Sequence, residues 1–314
     1  MSKKNKKLNI IFLLFSFLLI IFGLNYQKIK KDYNKPMITV TTTFLGDLSK
    51  NLLKDHVQIN VLMGPGVNPH NFQATPQDLN LIYQSKAVIY QGINLEGKLS
   101  EVLDENNNPD LNIIKASNNI NEKDLIVIYE NDGKKTYDPH IWFDIDLWEN
   151  VMYYLSSEYI KLFPEFKEDI LENTKEYQYK LNQLKIDINN IVNTLPLEKK
   201  KLITAHDAFN YFGRYNDFIV KGIQGINLNS ETGTKDVQNL IKYIIDNKVK
   251  AIFPEIGVNE KLIKTILTAT KIENYQLKLG DKLYSDSLGD TNTLEGTYIG
   301  MYLYNVNKIV NELK

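Results

Sequence analysis

The chain has no cysteine in its 314 residues. That excludes disulfides, thiolate metal ligands and a lipid carried on a cysteine. Histidine is scarce, with four in all, and tryptophan scarcer, with two. No excess of positive charge points to nucleic acid. The formal net charge is −1, with +7 in residues 1–35, where eight lysines face Asp32 alone, so the remainder carries −8. An acidic body favours cations and solubility over nucleic-acid partners. Long apolar runs are missing except near the start. There Lys3, Lys4, Lys6 and Lys7 precede a run from Ile10 to Leu24 broken only by Ser16 and Gly23, and Lys28, Lys30 and Lys31 follow. This pattern suits a secretory signal, although the run is short of the roughly 20 residues of a spanning helix. No small-x-small cleavage site is visible. The expectation is an uncleaved membrane anchor with the body outside the cytoplasmic membrane, the alternative being a signal cut at an unobvious site.

What is present is a twofold alternation of strand and helix patterns. The first block runs from a strand at residues 37–43 through a helix at 46–54, a strand at 56–62, a helix at 76–84, a strand at 87–90, a helix at 95–103 and a strand at 111–115. Residues 118–134 read as polar and irregular, apart from an apolar run at 125–129. Asp146 is expected to cap a helix that Pro164 stops. Phe166, Ile170, Tyr177, Leu181, Leu184, Ile188, Ile191 and Leu195 then recur mostly at spacings of three and four, one stripe on about 30 helical residues and roughly 45 Å long. The alternation restarts with strands at 201–205, 218–223, 250–254 and 275–279. Helices at 209–215, 234–245 (with Thr234 as cap), 260–269 and 297–313 alternate with them. The expectation is an α/β protein with two parallel-sheet lobes facing each other across one long spanning helix. Its parts are residues 1–35 (anchor and linker), 36–163 (first lobe), 164–196 (spanning helix) and 197–314 (second lobe).

Three of the four histidines sit where ligands collect in such folds, beyond strand ends. His70 closes Met63-Gly64-Pro65-Gly66-Val67-Asn68-Pro69-His70, a loop stiffened by Pro65 and Pro69 and followed by a helix start at Thr75, Pro76 and Asp78. His140 closes Asp138-Pro139-His140, and His206 stands in Thr204-Ala205-His206-Asp207. A lone loop histidine is more often hydrogen-bonded or exposed than a ligand, but three in equivalent places suggest one site. His56 opens a strand and reads as structural, Trp142 and Trp148 as core. Asp78, Asp144, Asp146 and Asp236 read as helix caps or first-turn charges. Three imidazoles need a fourth donor. Asp286, in the loop 283–289, is the natural candidate, but Asp281, Asp290 and Glu295 share that region and spacing does not rank them. A His3Asp set suits zinc and tolerates manganese.

The segments MGPGVNPH (63–70), DPHIWFD (138–144), TAHDAFNYFGR (204–214) and LYSDSLGD with EGTYIGM (283–290 and 295–301) resemble those of the solute-binding proteins of metal ABC transporters, the TroA-type zinc/manganese-binding family. The likeness extends over nearly all of the body from Met37, with the motifs in family order. It implies two (β/α)4 lobes on a rigid backbone helix, with a metal site in the cleft formed by His70, His140, His206 and Asp286. It also implies capture of Zn2+ or Mn2+ for an ABC permease by an extracytoplasmic monomer. The chain departs from the family in lacking the lipoprotein cysteine and a histidine-rich loop before His140, where residues 128–135 hold none. Two other classes compete, a metal-dependent hydrolase and a surface adhesin. The hydrolase needs a general base near an open metal position. No HExxH motif occurs, and Glu231 and Glu255 are the carboxylates to examine. Because ligands must be unprotonated, metal affinity is expected to fall as pH drops through about 6.5.

Overall fold

Short strands of apolar and β-branched residues set the first sheet. The computed structural model describes residues 35–104, 111–226 and 233–314. β1 (Met37–Val40) lies between β2 (Gln58–Val61) and β3 (Ala87–Tyr90), and β4 (Asn112–Lys115) completes a parallel sheet in the order β2-β1-β3-β4. Val40 is level with Val61 on one side and Ile89 on the other. Burial on both faces explains why β3 reads as a continuous apolar run. The crossovers carry α1 (Thr43–Leu53), α2 (Pro76–Gln84) and α3 (Lys98–Asp104). Thr75 and Asp78 form the expected capping box at α2, with Pro76 at its first position.

The segment read as irregular contains an exposed antiparallel ribbon, β5 (Val127–Asn131) and β6 (Lys134–Tyr137). It turns through Asp132 and Gly133, both in the left-handed region. No residue of β5 is buried, so the sequence carries no alternation that would announce a strand. Next comes α4 (Ile145–Leu162), capped by Asp144 rather than Asp146. The Asp144 carboxylate accepts the N–H groups of Asp146 and Leu147, while Asp146 sits in the first turn and pairs with Lys185 at 2.7 Å.

The long stripe forms α5 (Lys167–Val192), 26 residues and about 39 Å at 1.5 Å per residue. It is shorter than the expected span of 164–196 because Pro164–Phe166 is a separate 3-10 turn and the helix ends at Val192, with Asn193 as its C-cap. His56 lies just before β2 in a 3-10 turn. It pairs with Asp169 at 2.9 Å and stacks on Phe166, joining the first lobe to the start of α5. The second sheet, also parallel, has the order β10-β9-β7-β8, from β7 (Lys201–His206), β8 (Ile219–Gln224), β9 (Ala251–Phe253) and β10 (Lys278–Leu279). β10 is shorter than the expected 275–279, and Tyr275 before it donates its hydroxyl to the Val249 carbonyl. The helices are α6 (Asn210–Asn216), α7 (Thr234–Asp246), α8 (Lys261–Ile272) and α9 (Tyr298–Leu313). Gly233, not Thr234, occupies the cap of α7.

The main core crosses both lobes. It joins Ile38 and Phe44 of the first lobe to the buried stripe of α5 and to Phe209, Tyr298 and Tyr302 of the second. Phe44 stacks on Trp142, Trp148 on Tyr298 and Phe143 on Phe209, with ring centroids 4.5, 5.4 and 4.5 Å apart. Both tryptophans are fully buried, as expected. Smaller clusters around Ile203 and Met63 belong to single lobes. No helix among the described residues is long and apolar enough to cross a membrane. The expected anchor falls in residues 1–34, outside the described residues.

Candidate metal centre

Each of the three histidines is presented by backbone at the end of a strand or in a tight turn. His70 sits in the turn Pro69–Asn71, where the Asn68 side chain accepts its N–H at 2.9 Å. Gly97 packs on this turn: a Cβ there would lie 2.6 Å from the His70 carbonyl oxygen, and φ is +50°. Only glycine fits both the space and the backbone. His140 follows Pro139 and is completely buried, while His206 is the last residue of β7 and equally buried. Asp286 comes from the loop after β10.

The four side chains converge. Asp286 Oδ1 lies 3.3 Å from His140 Nε2, 3.4 Å from His206 Nε2 and 3.8 Å from His70 Nε2. His70 Nε2 and His140 Nε2 are 3.3 Å apart, and one donor atom from each of the four residues lies within 4.8 Å of all the others. A tetrahedral ion with bonds of about 2.0–2.1 Å needs donor atoms about 3.3 Å apart. His206 Nε2 and Asp286 Oδ1 are buried and 3.4 Å apart, an ion-pair distance rather than a direct hydrogen bond. Such groups are costly to bury unless something meets them.

Carboxylates stand behind two of the imidazoles. Asp138 Oδ1 accepts the His140 N–H at 2.9 Å and lies 2.7 Å from its Nδ1. Glu255, at the end of β9 and buried, repeats the arrangement: Oε1 accepts the His206 N–H at 2.8 Å, and Oε2 lies 2.6 Å from Nδ1. A carboxylate at Nδ1 fixes the ring and leaves the Nε2 lone pair for the cluster. Burial opposes a proton on His140, but Asp138, then Asp286, outweighs it and raises its pKa to about 9. Burial likewise works against His206, which Glu255 and Asp286 push well above its ordinary value. Burial lowers His70 to about 4, with only Asp286 and the more distant Asp138 opposing. Asp286 is also disfavoured as an anion by burial, yet His206 and His140 hold it well below the usual carboxylate range.

The Asp286 loop is bonded to the opposite lobe. The Ser285 carbonyl accepts the Trp142 indole N–H at 3.0 Å, Ser287 Oγ accepts the Gly66 N–H at 2.8 Å, and the Leu288 N–H donates to Thr43 Oγ1 at 2.8 Å. Gly257 of the second lobe backs onto Gly66, and a Cβ there would lie 2.9 Å from the Gly66 carbonyl oxygen.

All four expected side chains therefore meet. Asp281 instead pairs with Lys308 at 2.7 Å, Asp290 is exposed, and Glu231 lies outside the described residues. Glu255 holds His206 from behind and so does not fill the role of a hydrolytic base. The part played by Asp138 is absent from the sequence reading, although an acidic residue two before a histidine can reach back to its backbone N–H.

Two parallel-sheet lobes on one long helix, with a buried His3Asp cluster between them, define a two-lobed metal-binding protein. Comparison with known proteins agrees: residues 38–312 match the family model of the periplasmic zinc-uptake complex component A. The chain belongs to this family. It is 36% identical over 277 residues to the manganese-binding lipoprotein MntA of Bacillus subtilis (strain 168), covering 88% of this chain and 89% of that protein. It is 33% identical over 279 residues to the zinc-binding protein TroA of Treponema pallidum (strain Nichols), covering 89% of each. The solved structure of that periplasmic zinc-binding protein superposes with a TM-score of 0.84 at 32% identity, over 89% of this chain and 99% of the other. The manganese ABC transporter substrate-binding lipoprotein PsaA of Streptococcus mitis is 26% identical over 320 residues, covering 98% of this chain and 99% of that protein. These relatives are binding proteins, not enzymes.

Proposed function

We propose that His70, His140, His206 and Asp286 are the ligands of one Zn2+ or Mn2+ ion, captured outside the cytoplasmic membrane and handed to the permease of an ABC importer. The observation that carries this is the spacing of four buried donor atoms near the edge length of a tetrahedral metal site. Relatives named for manganese and for zinc support both cargoes. Three nitrogen donors in a near-tetrahedral set bind zinc more tightly than manganese by the usual affinity order. The N-terminal segment, with lysines ahead of a short apolar run, has the pattern of an export signal that takes the body across the membrane.

The test is elemental analysis with competitive zinc and manganese titration of the body from about residue 35. One tightly held ion per chain is expected, and it should be lost in His70→Ala, His140→Ala, His206→Ala and Asp286→Ala. Stoichiometric binding that survives all four substitutions would refute the ligand set.

A further inference from the structure

Helix α6 starts four residues after His206, and one of its faces grips the first lobe. Asn210 Nδ2 donates to Asp138 Oδ2 at 3.0 Å. Tyr211 Oη donates to the Asp138 carbonyl at 3.0 Å and accepts the Ile126 N–H at 3.0 Å. Arg214 pairs with Asp144 Oδ2 at 2.8 Å and donates to the Asp124 carbonyl at 2.7 Å. Residues 210, 211 and 214 share one side of a helix, so the grip is a single surface.

The consequence falls on His140. Its Nδ1 and its N–H are both held by Asp138 Oδ1, and the other oxygen of that carboxylate is held by Asn210 from across the lobe boundary. His206 differs, because Glu255 belongs to its own lobe. His70 takes its backbone support from Asn68 in its own loop. Of the three imidazoles, His140 is the one whose carboxylate partner is itself held by the opposite lobe.

We propose that Asn210 is a positioning residue for metal capture: its amide fixes the Asp138 carboxylate, and through it His140, from across the lobe boundary. The inference rests on His140 being a ligand, as proposed above. Without the amide, one carboxylate oxygen loses its donor. The Asp138 side chain is then free to rotate, and His140 loses a fixed acceptor at Nδ1. Metal would still enter, but it would be held by a looser third nitrogen.

The test follows zinc release to excess chelator by stopped flow in the wild type, Asn210→Leu and Asn210→Ala. It is paired with 15N shifts of the histidine rings in the zinc-loaded proteins. Release is expected to quicken by up to about tenfold, below or at the low end of the 10–100-fold typical when a direct partner of a ligand is lost. The His140 Nδ1 signal should move while that of His206 stays. On an Asp138→Asn background the Asn210 substitutions should add little, because both act through one contact. Two results overturn the proposal. One is wild-type release with an unmoved His140 signal in both variants, and the other is the same factor on the Asp138→Asn background. A failed ligand assignment would show itself separately, as stoichiometric zinc retained by His140→Ala.

Discussion

Ser287 accepts a hydrogen bond from the backbone N–H of Gly66 at 2.8 Å, so a residue next to Asp286 is tied to the loop that carries His70. The bond joins the last donor in the chain to the first. Ser287→Ala removes it without touching a ligand. A net loss of about 1 kcal/mol is expected for such a bond, or about fivefold in an equilibrium. Zinc should leave the variant correspondingly faster, as measured by transfer to a chelator. Unchanged release would mean that the loop is held by Trp142 and Thr43 alone.

Proton release should accompany metal binding at neutral pH. In the metal-free protein His140, raised to about 9, carries a proton at pH 7, while His70, lowered to about 4, does not; Glu255 and Asp286 push His206 in the same direction as His140. A proton on Nε2 must leave before that nitrogen can bind a metal, so at least one should be released per ion. The sign follows. Because the folded-state pKa of His140 is raised, its pairing with Asp138 stabilises the metal-free protein fully below the unfolded value of about 6.5 and is lost as pH rises through about 9. Metal affinity therefore climbs with pH up to about 9, a higher range than the ordinary histidine value suggests. Calorimetry in buffers of different ionisation enthalpy measures the protons directly, and heats independent of buffer would contradict this.

Glu255→Gln is expected to weaken zinc binding by about 10–100-fold, the usual cost of losing the carboxylate behind a metal-bound histidine. The amide can still accept the His206 N–H, so the strand end keeps its anchor while Nδ1 loses a charged partner. Competitive titration reads the affinity, and thermal melting of the metal-free variant checks the fold. Affinity equal to the wild type would assign Glu255 a purely structural part.

Much of this architecture is legible in the chain because burial writes periodicity. The α5 stripe survives in Ile170, Tyr177, Leu181, Leu184 and Ile188, all buried. The His70 loop is legible because proline and glycine punctuate it. The β5–β6 ribbon is not, since it has no buried face to impose alternation. The cap of α4 lies two residues before the expected Asp146, because Asp144 and Asp146 are chemically equal and only the backbone decides which one accepts. Asn210 and Glu255 carry no local sign of their roles. Asn210 looks like an ordinary first helical residue, and its partner lies 72 positions away.

The α5 rod and the aromatic core that crosses between the lobes have a consequence for recognition. A clamp with a stiff back and a filled throat cannot swing wide, so the outlines of the loaded and empty forms should nearly coincide. A partner that distinguishes them by silhouette would find little to read. On the proposed ligand set the useful difference would be chemical, a divalent ion in place of protons between the loop of residues 285–288 and the turn at His70. A docking protein that senses cargo would therefore have to touch these few residues, and the rest of the surface could vary without loss of the signal.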